Sequence, residues 1–244
     1  MKEQDKIILV GDIHGEFGRL RYDVRRFYED AYIIQVGDFG MGFYKPNYYQ
    51  TELKLLQQAL EHANCKLFAI RGNHDDPEYF KQTNNPFDYD RITLLQDYAE
   101  LELLHKKFLF AGGAVSIDRL WRIEKQAERK SMGRDSVLWW KDEPFNVEPV
   151  ANVIGKYDVV VTHTRPSICG AFKGECSIDR WLDNDEPLRV DLVKESHDVQ
   201  KLYEATKPMH WYYGHFHASE TQNIFGTAFR CLNIHEHYEH KIHP

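Results

Sequence analysis

The sequence has few cysteines and none paired at short spacing. Cys65, Cys169, Cys176 and Cys231 are scattered with no C-x-x-C step, which argues against a disulfide framework and a cysteine zinc site. Only Cys169 and Cys176 lie near each other in the chain, close enough for a chance cross-link. No apolar run approaches the roughly 20 residues that span a bilayer. The start, "MKEQDKIILV", passes almost directly into a strand-like run and leaves no room for a signal peptide. A soluble, cytoplasmic protein with no membrane partner is expected. Positive charge is also scarce, with 31 Lys and Arg against 38 Asp and Glu and a net charge of −7. Binding along a nucleic-acid backbone needs a positive surface that releases counterions, so non-specific binding and a nucleic-acid-binding regulator are disfavoured. A nucleotide or a nucleic-acid end stays admissible as substrate, because a site's field can differ from the net charge. No repeat or low-complexity linker divides the chain, and one domain over residues 1–244 is expected.

Histidine is what the sequence has in excess, with thirteen in 244 residues. Four of them, His235, His237, His240 and His243, crowd the end of the chain. Such a tract can hold an adventitious metal, but a terminal one is more often solvated and mobile, and that is the expectation here.

The rest of the chain reads as apolar strands that stop at polar loops. "KIILVGD" (Lys6–Asp12), "AYIIQVGD" (Ala31–Asp38) and "KLFAIRGN" (Lys66–Asn73) are short buried-strand patterns, each closing on glycine and a polar residue. Between them, Phe17, Leu20, Val24 and Phe27, then Leu53, Leu56, Leu60 and Ala63, fall at helical spacing. The order βαβαβ predicts parallel strands with helices packed on the sheet. "RITLLQD" and "LELLHKKFLFAGGAV" read as strands, the latter as a hairpin around His105–Lys107. "YDVVVTH" (Tyr157–His163) repeats the buried pattern, Arg189–Ala205 reads as helix, and "MHWYYGH" follows. "TQNIF" and "AFRCLNI" pair through a turn at Gly226-Thr227. Residues from about 115 to 152 fit no regular pattern and suggest a cap or substrate-facing insert.

Asp12, Asp38, Asn73, His163 and His215 therefore stand just past five strands. Ligands of open α/β sheets bind at the carboxyl ends of strands, so these residues point to one edge of the fold. Taken singly, each has an ordinary explanation as a turn, cap or surface residue. Together, "GDIHG" (Gly11–Gly15), "VGDFG" (Val36–Gly40), "GNHD" (Gly72–Asp75), "VTH" (Val161–His163) and "GHFH" (Gly214–His217) resemble the motifs of the calcineurin-like metallophosphoesterase superfamily, in order and across nearly the whole chain.

That resemblance implies an α/β fold: a β-sandwich flanked by helices in four layers, α/β/β/α. It implies that Asp12, His14 and His217 bind one divalent metal and Asn73, His163 and His215 a second, with Asp38 bridging them. His74 is then the catalytic histidine, donating a proton to the leaving alkoxide or stabilising the transition state. Asp75 either orients that ring or fixes the loop. The implied reaction is hydrolysis of a phosphate ester by a metal-bridging hydroxide. Mn, Fe, Zn and Ni all suit this donor set, Mn being favoured.

Two departures bear on substrate. The superfamily's Ser/Thr protein phosphatases carry a longer second motif, GD-x-V-D-R-G, whose arginine contacts phosphate; here the stretch is "GDFGMGF". A small phosphomonoester, nucleotide or phosphodiester is thus expected ahead of a phosphoprotein, with a protein phosphatase or a non-catalytic scaffold of the same fold as alternatives. In "HTRPSICG", Arg165 is a candidate phosphate fork, or equally an exposed loop residue. Arg119, Arg122, Arg129 and Arg134 line a phosphate's path or form a solvated face, the latter being commoner. Trp121, Trp139 and Trp140 stack a base or, more often, pack.

Overall fold

The computed structural model describes residues 3–81, 89–134, 136–171 and 178–241. Cys176 and His243 lie outside the described residues. The βαβαβ start is present: β1 (Lys6–Val10), α1 (Phe17–Phe27), β2 (Ala31–Gln35), α2 (Pro46–His62) and β3 (Lys66–Ala69). β1, β2, β3 and the short β4 (Ile92–Leu94) run parallel, in register from Lys6 opposite Ala31 to Ala69 opposite Leu94. β3 ends at Ala69, so Ile70–Asn73 already belong to the loop.

A second sheet of six strands has the order β5 (Ala99–Leu103), β6 (Lys106–Ala111), β7 (Val159–Thr162), β8 (His210–Tyr213), β10 (Thr227–Cys231) and β9 (Glu220–Ile224). β6, β7, β8 and β10 are parallel, and antiparallel β5 and β9 form the edges. The β5–β6 turn is Leu104-His105, both at positive φ, as the twist of a two-residue hairpin demands. The β9–β10 turn is Phe225-Gly226 rather than Gly226-Thr227, for Thr227 already pairs with Ile224.

β1, β2, β3, β6, β7 and β8 are buried on both faces, which explains their largely unbroken apolar runs. Ile8, Val10 and Ile33 face α1 and α2. Their neighbours Ile7, Leu9 and Ile34 face the other way, onto Phe108, Phe110, Val159, Val161 and Tyr212 of the second sheet. Leu109, Val160, Trp211 and Phe229 pack outward on Val199, Leu202 and Tyr203 of α5 (Leu188–Thr206). The layers are α/β/β/α, as expected. Each fully buried Leu, Ile or Phe contributes about 1.5–3 kcal/mol, so the middle layer holds the two sheets rigidly against each other.

Three expectations need correction. Of the terminal histidines, His235, His237 and His240 are not part of a solvated, mobile tract. Strand β11 (His237–His240) pairs antiparallel with β1, His237 opposite Val10 and His240 opposite Ile7. His235 and His240 are buried, and His240 Nδ1 meets the Tyr212 hydroxyl at 2.7 Å. The physical reason is β1's second edge, whose backbone groups require partners. Phe27 is 62% exposed and leaves the α1 stripe; as the last residue of the helix its ring lies near Tyr22 and His237. Trp121 is not a packing residue, being 53% exposed, whereas Trp140 is buried.

The irregular segment contains α3 (Arg119–Ser131) and a 3-10 turn at Glu148–Asn152. Gln126 Oε1 accepts from the Leu138 and Trp139 amides and ties the stretch after α3 back to the helix. The short α4 (Asp179–Leu182) precedes α5.

Candidate metal centre

The loops after β1, β2, β3, β7 and β8 converge. Asp12 and Asp38 are 0% and 1% exposed, and neither pairs with a lysine or arginine among the described residues. Histidines surround them. His217 Nε2 lies 3.3 Å from Asp12 Oδ2 and 3.2 Å from His14 Nε2. His163 Nε2 lies 3.2 Å from both Asp38 Oδ1 and Asn73 Oδ1, and His215 Nδ1 is 2.9 Å from the same Asn73 oxygen. His14 Nδ1 faces Asp38 Oδ2 at 3.7 Å. All seven expected ligands are thus brought together around Asp38 and Asp12. Donor atoms of Asp12, His14 and His217 form one group within 4.8 Å of one another, and those of Asp12, Asp38 and His163 another.

Buried carboxylates without a cationic side chain are costly unless they are paired or coordinate metal. Two of them, ringed by imidazoles and an amide oxygen, fit divalent cations. Burial pushes the Asp38 carboxyl up, but the facing His163, His74 and His14 outweigh it and hold it well below the usual carboxylate range. Burial pulls His163 down, yet Asp38 wins and raises it to about 9. His215 goes the other way, held well below its ordinary value by burial and by the charge of His163.

The backbone is bent to make this meeting. His14, Asp38, His215 and His217 all have positive φ, between 46° and 68°. Non-glycine residues seldom occupy that region, and such strain clusters at functional sites. Gly72 makes room: a Cβ there would stand 2.1 Å from Asp38 Oδ1 and 2.7 Å from His163 Nε2. Gly72→Ala should therefore weaken metal binding by roughly 10–100-fold, the range for disturbing the orientation of ligands. Calorimetric titration of metal into the folded variant checks this.

Hydrogen bonds behind the ligands set their orientation. His163 Nδ1 lies 2.9 Å from the Val36 carbonyl, which fixes the proton on that nitrogen and frees Nε2 for the centre. Asn73 Nδ2 donates to Ser116 Oγ at 3.0 Å, and Ser116 donates to Glu143 Oε2 at 2.8 Å. The hydroxyl donates to Glu143 and accepts from the Asn73 amide, so the amide oxygen faces His163 and His215. Asp75 accepts four backbone N–H groups: Gly40 and Met41 on Oδ1, Phe39 and Gly72 on Oδ2, at 2.7–3.0 Å. It fixes the loops on either side of Asp38 and Asn73, which decides between the two roles open to it.

His74 lies beside the ring of His14, centroids 4.7 Å apart, and its backbone N–H donates to Asp38 Oδ1 at 2.7 Å. Its Nε2 meets a guanidinium, that of Arg122. A permanent cation at that nitrogen disfavours a metal there, although donor atoms of His14, Asp38 and His74 also lie within 4.8 Å of one another. Arg165 stacks over the Phe216 ring at 4.1 Å, and that ring meets His215. Arg71, ahead of "GNHD", binds Asp97 and the carbonyls of 142–144, so it braces the fold.

Residues 5–219 match the model of the calcineurin-like phosphoesterase family. The chain belongs to that family. No curated protein matches this calcineurin-like phosphoesterase. One solved structure aligns with 98% of the chain and 99% of its own length, at 11% identity and a TM-score of 0.51. A phosphopantetheinyl hydrolase from Mycobacterium tuberculosis aligns over 96% and 91%, at 12% identity and a TM-score of 0.47. An archaeal phosphodiesterase aligns over 96% and 98%, at 14% identity and a TM-score of 0.40. At such identities the likeness concerns the fold. Among the described residues, no helix of this phosphoesterase is long and apolar enough to cross a membrane.

Ser116, Glu143 and Arg122's place at His74 lie beyond what sequence reading assigned. Asp118 and Arg122 do stand at the i,i+4 spacing of a helical ion pair, a signal that was legible. Ser116 and Glu143 are 27 residues apart in the irregular segment and carry no such signal.

Proposed function

We propose that this protein is a dinuclear, metal-dependent phosphoesterase. Asp12, His14 and His217 would hold one divalent ion, Asn73, His163 and His215 the other, and Asp38 would serve both. The observation that carries this reading is the convergence of five imidazole and amide donors on two buried carboxylates that pair with no lysine or arginine among the described residues. Carboxylate, amide and imidazole donors together suit Mn, Fe, Zn or Ni, with Mn²⁺ favoured by the oxygen ligands. Bound there, the cations supply Lewis-acid polarisation of the phosphoryl group and lower the pKa of water.

The chain's own residues do the rest. Asp75 and the Ser116–Glu143 pair hold the ligand loops in place before substrate arrives, so little reorganisation is needed during reaction. His74, adjacent to the centre, stabilises or protonates the departing alkoxide. Residues of about 115–152 form the substrate-facing wall of a single domain, since they carry Arg122 to His74 and Trp140 to Phe43. The preferred substrate is a small phosphate ester, a nucleotide or a phosphodiester, in keeping with the missing Asp and Arg of the second motif. Cys65, Cys169 and Cys231 are free and buried, which suits a reducing, cytoplasmic setting.

Metal-stripped protein resupplied with Mn²⁺ should hydrolyse bis(p-nitrophenyl) phosphate or p-nitrophenyl phosphate. His74→Ala should lower kcat by roughly 10²–10⁴-fold while the ions stay bound. No turnover of either ester with Mn²⁺, Fe²⁺, Zn²⁺ or Ni²⁺ would contradict the proposal.

A further inference from the structure

Helix α3 is anchored at its first residue. Arg119 forks onto Asp185, Nε to Oδ2 at 2.6 Å and Nη2 to Oδ1 at 2.9 Å, and reaches Asp191 Oδ2 with Nη1 at 2.6 Å. One turn further on, Arg122 is only 5% exposed. Its Nε donates to Asp118 Oδ1 at 2.7 Å, its Nη2 lies against the ring nitrogens of His74, and its Nη1 donates to no described residue.

This arrangement is incomplete as a structural ion pair. A guanidinium keeps its charge under all ordinary conditions and carries five donors. Here one donor meets a carboxylate and one edge meets an imidazole, a weaker partner for a cation than an oxyanion. The open Nη1–Nη2 edge borders the ring that lies beside His14 and the Asp38 carboxylate. A planar fork of this kind binds two oxygens of a phosphoryl group in parallel.

We propose that Arg122 is a substrate-binding residue, whose Nη1–Nη2 edge takes non-bridging oxygens of the scissile phosphoryl group beside His74, with Asp118 as the positioning residue that sets the guanidinium plane. The assignment rests on the phosphoesterase reading above. It gives α3 a function: Arg119 fixes the helix to the α4–α5 region, and the helix delivers Arg122 to the centre. Phosphate recognition then comes from the segment after β6 rather than from the loop after β2. Substrate charge is met by a single fork, so an ester with two free phosphoryl oxygens suffices.

The test uses Mn²⁺-loaded full-length wild type, Arg122→Ala, Arg122→Lys and Asp118→Asn. It measures turnover of the two nitrophenyl esters, calorimetric binding of inorganic phosphate, and bound metal. Arg122→Ala should lose roughly 10²–10³-fold in kcat/KM, the loss typical for a donor to a reacting oxyanion. Its affinity for phosphate should fall by roughly tenfold or more at unchanged metal content. Millimolar guanidinium should restore part of the activity of Arg122→Ala. Arg122→Lys should recover little, because a point charge lacks the fork. Asp118→Asn should chiefly raise KM. Wild-type kcat/KM and phosphate affinity in Arg122→Ala would overturn the proposal; should that variant not fold, Arg122→Lys carries the same criterion. If wild type binds phosphate through Arg122 but hydrolyses neither ester, the phosphoesterase reading fails and the anion site stands.

Discussion

Asp38→Asn is expected to lower affinity for divalent metal by more than about 10²-fold, beyond the 10–100-fold typical of residues that merely orient ligands. The Asp38 carboxylate faces His163 and His14 and accepts the His74 backbone N–H, all at once. An asparagine oxygen can keep the bond from His74. Its NH2 group then points at the centre, where it offers a donor in place of an acceptor, and the negative charge is gone. Turnover should fall with the metal. The fold should not: the substitution removes a buried charge that no lysine or arginine among the described residues matches. Calorimetric metal titration together with circular dichroism of the metal-free variant separates the two effects. A variant that binds metal as wild type does would remove Asp38 from the centre.

The second large effect concerns Asp75, which would touch no ion. Each carboxylate oxygen accepts two backbone N–H groups, so all four acceptor sites are used. Asp75→Asn turns one oxygen into an NH2 group facing two N–H donors, which is worse than a lost bond. A cost of about 3 kcal/mol is expected, the range for buried donors left unmatched. For a chain of this size that corresponds to a fall in Tm of roughly 6–12 °C. Burial, with Asp38 adding to the rise, raises the Asp75 carboxyl to about 6 even though the N–H groups of Gly72, Met41 and Phe39 pull it down. Thermal unfolding of the metal-free protein checks the prediction. A near-neutral substitution would mean that the loops after β2 and β3 hold their shape without it.

The parallel strands and their polar ends were readable because a strand buried on both faces must be continuously apolar and must then break. Asp12, Asp38, Asn73, His163 and His215 stand out for that reason alone. What the linear pattern hides is conformation: His14, Asp38, His215 and His217 sit in the left-handed region without being glycine, and no composition rule announces that. The burial of His235 and His240 is not legible in the sequence, because polarity near a chain end suggests solvent, whereas β1 needs a partner and His237–His240 provides it. Arg122 shows a third kind of gap. Its spacing from Asp118 signals a helical ion pair, but which way the helix faces depends on Arg119 gripping Asp185 and Asp191, more than 60 residues away.

The most direct test of the dinuclear centre is a count of bound metal. Metal-stripped protein dialysed to equilibrium against Mn²⁺ and analysed by inductively coupled plasma mass spectrometry should hold two ions per chain, and Asp38→Asn should hold fewer. A wild-type chain that binds one ion or none, across Mn²⁺, Fe²⁺, Zn²⁺ and Ni²⁺, would contradict the account.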